Sequence, residues 1–250
     1  MSRNYEILRQ ADKGRTLFET PTLDPPVSQT ASVSLKSGTN GRNESYEEIV
    51  KLVQRVFLTP GSSAPQVVTF CAIEHGNGCS WVTARAGEVL ALQGERPVCL
   101  VDANLKTPWL EKHFHLGNRT GLTDSIVGGA PLQEYTEPIN GGHLWVMTTG
   151  TGGPEMHNVL SSERFRFRVA EMRTNFAHVL IDAPPLNRYA DAALLGGMSD
   201  GMILVLEANV TRRETVRRVK ENLVAAKVKL LGTVLNKRTY PIPERLYHKF

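Results

Sequence analysis

The chain predicts an α/β fold, a doubly wound and mostly parallel sheet in a three-layer sandwich with helices on both faces, and three observations carry that expectation. Short apolar segments of strand length alternate with longer segments whose apolar residues recur at helical spacing. The strand segments are near-continuous in apolar residues, as strands covered on both faces are. Two of them end on an aspartate and another runs into a glycine-rich turn, which suits a sheet that holds ligands beyond the carboxyl ends of its strands.

Residues 12–45 are rich in Thr, Ser, Pro, Gly and Asn and poor in periodic apolar positions, so residues 1–45 read as a disordered N-terminal tail. Order begins at Tyr46. Ile49, Leu52, Val53, Val56 and Phe57 fall at helical spacing, and Pro60-Gly61 end that helix. Residues 66–72 then predict a buried strand and 80–92 a helix. Strands follow at 97–101 and 143–148, and a polar helix at about 162–175. Strands at 178–181 and 201–206, a helix at 213–226 and a strand at 230–235 complete the alternation. The α/β domain thus spans residues 46–238, and residues 239–250 form a tail bearing Tyr240 and Tyr247.

A chain of 250 residues fits one such domain plus tails. Its 29 basic and 25 acidic residues leave a net charge of +4 with no dense basic stripe, which argues against nucleic-acid binding. Cys71, Cys79 and Cys99 match no zinc spacing, and a reducing cytoplasmic compartment accounts for them. No apolar run approaches the roughly 18–20 residues that cross a bilayer, and Met1 to Leu23 carry charges without a signal-peptide core. A soluble cytoplasmic protein able to dock on a membrane partner is the expectation.

The chemistry gathers behind the strand at 66–72. It runs into His75-Gly76-Asn77-Gly78-Cys79-Ser80, and a helix opens at Ser80. Strand, glycine turn and helix make a phosphate cradle, because glycines let successive N–H groups point inward and the helix dipole adds positive potential. A serine at the helix start can ligate Mg²⁺. The lysine such loops carry is replaced by Cys79. The strand at 97–101 leads into Asp102, with Asn104 just beyond, and the strand at 178–181 leads into Asp182. Either aspartate alone could cap the helix that follows it. Together with the loop they point to one site, where one binds Mg²⁺ or its waters and the other accepts a proton from an attacking hydroxyl.

From Tyr46 to Tyr247 the chain resembles the bacterial tyrosine kinases of the CpsD/CapB and Wzc type, relatives of the deviant-Walker P-loop ATPases that include MinD and ParA. The segment from Ala72 to Ser80 is similar to their phosphate loop, and Leu100-Val101-Asp102-Ala103-Asn104-Leu105-Lys106-Thr107-Pro108 to their second Walker A motif. Gly121-Leu122-Thr123-Asp124 resembles a turn of that family, Val179-Leu180-Ile181-Asp182-Ala183-Pro184-Pro185 its Walker B strand, and Leu231 to Lys237 its closing strand. The resemblance implies a P-loop fold and an ATP-binding tyrosine autokinase that regulates capsular or extracellular polysaccharide synthesis and export. It implies ATP held by Gly76, Asn77, Gly78, Cys79 and Ser80, with Asn236 on the adenine, and Mg²⁺ served by Ser80, Asp102 and Asp182. Asp102, Asn104 and Asp182 become the catalytic candidates, and Tyr240 and Tyr247 the phosphoacceptors. A membrane chain-length regulator of the co-polymerase type is the implied partner, and the helix at 47–58 resembles one that forms homo-oligomers.

The chain departs from that pattern at Cys79, at Asn104 where an Asp is usual, and at Val53-Gln54-Arg55 in the helix. Losing a donor aimed at developing phosphoryl charge typically costs roughly 3–4 kcal/mol, about 100- to 1,000-fold in rate. Arg85, on the helix behind the loop, either supplies the missing charge or faces solvent or a partner. A catalytically silent regulator of the same machinery is therefore the alternative to an active kinase. A MinD-like or ParA-like positioning ATPase would need a further lysine early in the loop, which residues 72–75 lack. His113 and His115 offer a weak metal pair with no third ligand in view.

Overall fold

The computed structural model describes residues 31–36, 41–58, 64–117, 120–152 and 154–238. Its centre is an eight-stranded sheet: β1 (Ala31–Lys36), β2 (Val67–Ala72), β3 (Val98–Asp102), β4 (Glu137–Ile139), β5 (Leu144–Met147), β6 (His178–Ala183), β7 (Gly201–Glu207) and β8 (Leu230–Arg238). They lie in the order β1-β8-β7-β2-β6-β3-β5-β4, parallel throughout except for the antiparallel pair β4–β5. The helices are α1 (Gly41–Phe57), α2 (Cys79–Gln93), α3 (Leu110–His113), α4 (Leu122–Val127), α5 (Glu163–Asn175), α6 (Asp191–Met198) and α7 (Arg213–Ala225).

The period-two alternation of each strand divides its apolar residues between two cores. Val68, Phe70 and Leu100 pack with Ile49, Leu52 and Val53 of α1 and Val82, Val89 and Leu90 of α2 on one face. Val67, Cys71 and Val101 pack with Leu122 of α4, Phe165 and Met172 of α5, Leu195 of α6 and Leu223 of α7 on the other. Both faces are covered, which is why β2, β3 and β6 carry almost no polar residues. Gly87 lets α2 lie close on the sheet, since a Cβ there would stand 2.5 Å from Leu100 Cδ2.

Asp200, just ahead of β7, ties the amino ends of the elements together. Its Oδ2 accepts the N–H groups of Gln66 and Val67 at 2.7 and 2.8 Å, and Arg173 at the end of α5 grips both carboxylate oxygens. Burial alone would raise this carboxyl's pKa, but the Arg173 and backbone hydrogen bonds hold it below the usual value.

Two expectations need correction. A wholly disordered segment through residue 45 is not what forms, because β1 pairs in parallel with β8 at the sheet edge and α1 starts at Gly41. Ala31-Ser32-Val33-Ser34-Leu35-Lys36 alternates apolar and polar residues, a strand signal masked by the Ser/Thr-rich sequence around it. The sheet also gains β4, a three-residue edge strand containing Pro138, too short to leave a pattern. Tyr240, Tyr247 and the Pro60-Gly61 stop lie outside the described residues. Among those described, no helix is long and apolar enough to cross a membrane.

Candidate nucleotide-binding site

The strand order sets the site. β2 lies between β7 and β6, and β6 beside β3, so the turn leaving β2 is flanked by the carboxyl ends of β6 and β7. Gly76 and Gly78 hold φ of 90° and 83°, left-handed values that make the chain turn sharply into α2. Gly78 is also the residue before the helix and offers no side-chain cap. The first N–H groups of α2 are therefore left for a ligand, with the positive end of the helix dipole behind them.

The turn is braced from both sides. Glu74 N–H donates to Asn77 Oδ1 at 3.0 Å, and Asn77 Nδ2 donates to Glu207 Oε2 at 3.3 Å, at the end of β7. Asn236 Nδ2, near the end of β8, donates to the Asn77 carbonyl at 2.8 Å. From the other side, the segment after β6 donates Leu186 N–H to the Ala72 carbonyl and Asn187 N–H to that of Ile73. Asn77 and Asn236 are thus buried supports of the loop. The nitrogen of Asn236, which the resemblance places on adenine, is spent on the loop itself.

In front of the turn lies a cleft of about 300 Å³. Its walls include Glu74 to Trp81, then Asn104, Thr107, Pro108 and Trp109 from beyond β3, and Ala183 and Pro185 from beyond β6. Cys79 lines it at the lysine position. Its thiol is buried, with Sγ 4.0 Å from Thr83 Oγ1, and burial first, then Asp182 and Cys71, push its pKa well above the ordinary value. It is a neutral, unreactive replacement. Arg85 does not fill the gap, since it pairs with Glu88 at 2.6 Å and lies over the Trp81 ring.

The two strand-end aspartates are paired in register on β3 and β6 but differ in state. Asp102 Oδ2 accepts the N–H groups of Trp109 and Leu110 at 2.9 and 3.0 Å, and Oδ1 accepts Asn104 N–H at 3.1 Å. This is the capping role, and it fixes the loop that carries Asn104. Asn104 in turn donates Nδ2 to Thr107 Oγ1 at 2.9 Å. Asp182 is 1% exposed, and neither of its oxygens has a hydrogen-bond partner among the described residues. Burial and then the Asp102 charge raise its pKa, while the neighbouring Ser80 hydroxyl and Cys79 thiol temper the rise.

A buried carboxylate with two idle oxygens costs free energy unless something cationic meets it. A hard divalent cation takes oxygen donors, and Asp182 with the Ser80 hydroxyl supplies them beside the phosphate cradle. Both Mg²⁺ and a nucleotide's phosphates fit these residues. His113 has another place: it stacks on Trp109 at 4.5 Å, with Nε2 3.4 Å from Glu88. Trp109 and Glu207 carry no sequence signal of their own, while Thr107 lies within the segment that resembles the second Walker A motif. Glu207 stands out once the strand order is known, as a third carboxylate at a strand end beside the loop.

Comparison with known proteins converges on one family, although no family model matches the chain. The tyrosine-protein kinase YwqD of Bacillus subtilis is 34% identical over 161 residues, covering 64% of this chain and 68% of that protein. The crystal structure of the chimerical protein CapA2B2 superposes with a TM-score of 0.75 at 24% identity, covering 83% of this chain and 94% of that one. The septum site-determining protein MinD of Pyrococcus horikoshii, complexed with Mg-ADP, has a TM-score of 0.59 at 20% identity over 74% of this chain and 76% of its own.

Proposed function

The chain belongs to the bacterial tyrosine-protein kinases, and from that premise we propose that it is an ATP-binding tyrosine autokinase regulating capsular or extracellular polysaccharide synthesis and export. Its partner in that reading is a membrane chain-length regulator. The observation that carries the reading is Asp182, a buried carboxylate whose oxygens meet no hydrogen-bond partner in good geometry among the described residues, only the neighbouring Ser80 hydroxyl and Cys79 thiol, set against a glycine turn whose helix has no side-chain cap.

The residues divide the work. The turn from Gly76 to Ser80 offers N–H groups to the phosphates, and Glu207, Asn77 and Asn236 keep it in shape. Ser80 and Asp182 would hold Mg²⁺, which would supply positive charge against the phosphates. Asp102 keeps the β3 loop in place through its three N–H contacts and adds negative potential behind Asp182. Phosphoryl transfer through a loose transition state asks mostly for positioning and charge, so an Asp102 occupied in capping does not block it.

Cys79 favours a second reading, a silent regulator that binds nucleotide without transferring phosphate. One experiment separates the two. Purified protein is titrated with Mg·ATP, then incubated and analysed by mass spectrometry for phosphate on Tyr240 and Tyr247. An autokinase binds, labels one or both tyrosines, and loses the label in Asp182→Ala. Binding without label selects the silent regulator, and absence of binding at millimolar nucleotide removes both readings.

A further inference from the structure

A tyrosine autokinase needs an aromatic hydroxyl within reach of its nucleotide, and the described residues include Tyr46, Tyr135 and Tyr189. Tyr46 is carried on α1 and does not line the cleft. Tyr135 is buried, with the Arg168 guanidinium 5.5 Å from its ring centre. Tyr189 is half-buried and lines a notch of about 100 Å³ with His75, Lys106, Thr107, Pro185 and Arg188. His75, Thr107 and Pro185 also line the nucleotide cleft, so the notch opens into it. Its volume is that of about three waters, room for a phosphoryl group between the ring and the cleft.

Tyr189 is also fixed against the phosphate loop. The segment leaving β6 donates Leu186 N–H to the Ala72 carbonyl at 2.9 Å and Asn187 N–H to that of Ile73 at 3.1 Å, at the root of the glycine turn. It then closes on itself, with the Arg188 and Tyr189 N–H groups both donating to the Pro185 carbonyl at 3.3 Å. The ring is turned towards the loop that follows β3, where Lys106 Nζ stands 5.9 Å from its centre. Asp182 lies on the same stretch of chain, at the end of β6. A terminal phosphate whose metal is held by Asp182 and Ser80 would lie on this side of the turn, because such a metal bridges the two outer phosphates.

We propose that Tyr189 is a phosphoacceptor, taking the terminal phosphoryl group of ATP seated on the glycine turn of its own chain. The inference rests on the autokinase reading above and deepens it by naming an acceptor inside the fold. A bond forms between the Tyr189 hydroxyl oxygen and the γ-phosphorus, and the bond from that phosphorus to the β–γ bridging oxygen breaks, leaving ADP. The hydroxyl proton passes to His75, whose imidazole lines the same notch, since Asn104 carries an amide where a carboxylate would take it. An acceptor pinned to the loop reacts in a unimolecular step, so its labelling needs no second copy of the chain.

The test uses the full chain, as wild type and as Tyr240→Phe/Tyr247→Phe, with thermal melts to confirm that each variant is folded. After incubation with Mg·ATP, mass spectrometry should find phosphate on Tyr189 in both, at a first-order rate that stays constant across a dilution series. Tyr189→Phe, which keeps the ring, should remove it, and His75→Gln should slow it by at least about tenfold. A second readout needs no transfer. Nitration of Tyr189 by tetranitromethane should be slowed by a Mg²⁺-bound ATP analogue whose terminal phosphate cannot be transferred, while the exposed Tyr46 reacts as before. Label confined to Tyr240 and Tyr247, or nitration of Tyr189 unaltered by an analogue that calorimetry shows to be bound, overturns the proposal and leaves the autokinase standing. A labelling rate that rises with protein concentration overturns transfer within the chain, and an unchanged rate in His75→Gln overturns the path of the proton. Bound Mg·ATP with no phosphate on any tyrosine overturns Tyr189 and the autokinase together, and absence of binding removes the ATP site as well.

Discussion

Asp182 is held in a state that is unfavourable without a cation: buried, beside Asp102, with neither oxygen hydrogen-bonded in good geometry among the described residues and only the Ser80 hydroxyl and Cys79 thiol near enough to offset its burial in part. Its folded pKa lies above the unfolded value near 4. The fold therefore favours the protonated form, and that contribution is complete below about pH 4 and is lost as pH rises through the raised value. Asp182→Asn cannot ionise and escapes the loss. With chelator present, the variant should be more stable than the wild type at pH 8, by about 1–3 kcal/mol, with the gap closing towards pH 4. The same variant should lose Mg·ATP binding. Denaturation curves at the two pH values decide it, and a variant less stable at pH 8 would refute the unpartnered-carboxylate account. The loop glycines give a graded pair. An alanine at either position pays roughly 1–2 kcal/mol for its left-handed φ. A Cβ at Gly76 meets nothing within 4 Å, whereas one at Gly78 lands 2.3 Å from Asn236 Nδ2 and breaks the brace on Asn77. Gly78→Ala should cost about 1 kcal/mol more than Gly76→Ala in urea titrations. Equal costs would mean that Asn236 does not hold the loop.

Among the elements, α2 sets two tendencies against each other at Gly87. Alanine is the better helix former by roughly 1 kcal/mol. Its Cβ would sit 2.5 and 2.8 Å from Cδ2 and Cγ of Leu100, which is fully buried and has no room to yield. Overpacking of that kind costs about 1–3 kcal/mol, so Gly87→Ala should be destabilising overall. It should be better tolerated in a Leu100→Ala background, where the clash is gone. Additive effects in the double variant would put the cost elsewhere. Element by element, the sequence was legible where burial on both faces wrote continuous apolar runs, as in β2, β3, β6, β7 and β8. It was least legible at the edges. The alternation of β1 was outweighed by its Ser/Thr-rich surroundings, and β4 has only three residues. The site followed the same rule. The glycine turn and Asp182 are local signals at a strand end. The contacts of Asp102 are local too, with residues two to eight positions on, and match the capping role open to a strand-end aspartate, whereas the bracing of the loop by Glu207 and Asn236 arises only when segments 130 and 159 residues apart meet.

For the whole molecule, the order β7-β2-β6-β3 makes the ligand a common neighbour of segments that enter the sheet separately. A nucleotide on the glycine turn touches the loop behind β2, the loop behind β3 and the end of β6, so binding should be read out as global stability. At Mg·ATP one hundred times its Kd, linkage gives about 2.7 kcal/mol. In a chain of 250 residues each kcal/mol moves Tm by roughly 2–4 °C, so the melt should rise by about 5–10 °C. Cys79→Lys tests what the missing charge is worth. A lysine there reaches the phosphates from the helix side and adds the positive charge that the loop lacks. At least a tenfold gain in affinity, about 1.4 kcal/mol, should widen the nucleotide-induced shift by a further 3–5 °C at the same Mg·ATP concentration. Phosphate on Tyr240 or Tyr247 should increase in parallel. A folded Cys79→Lys variant whose ligand-induced shift matches the wild type would show that the missing lysine does not limit nucleotide binding, and the rate of transfer would then be set by Asn104 or by the α1 face at residues 53–55.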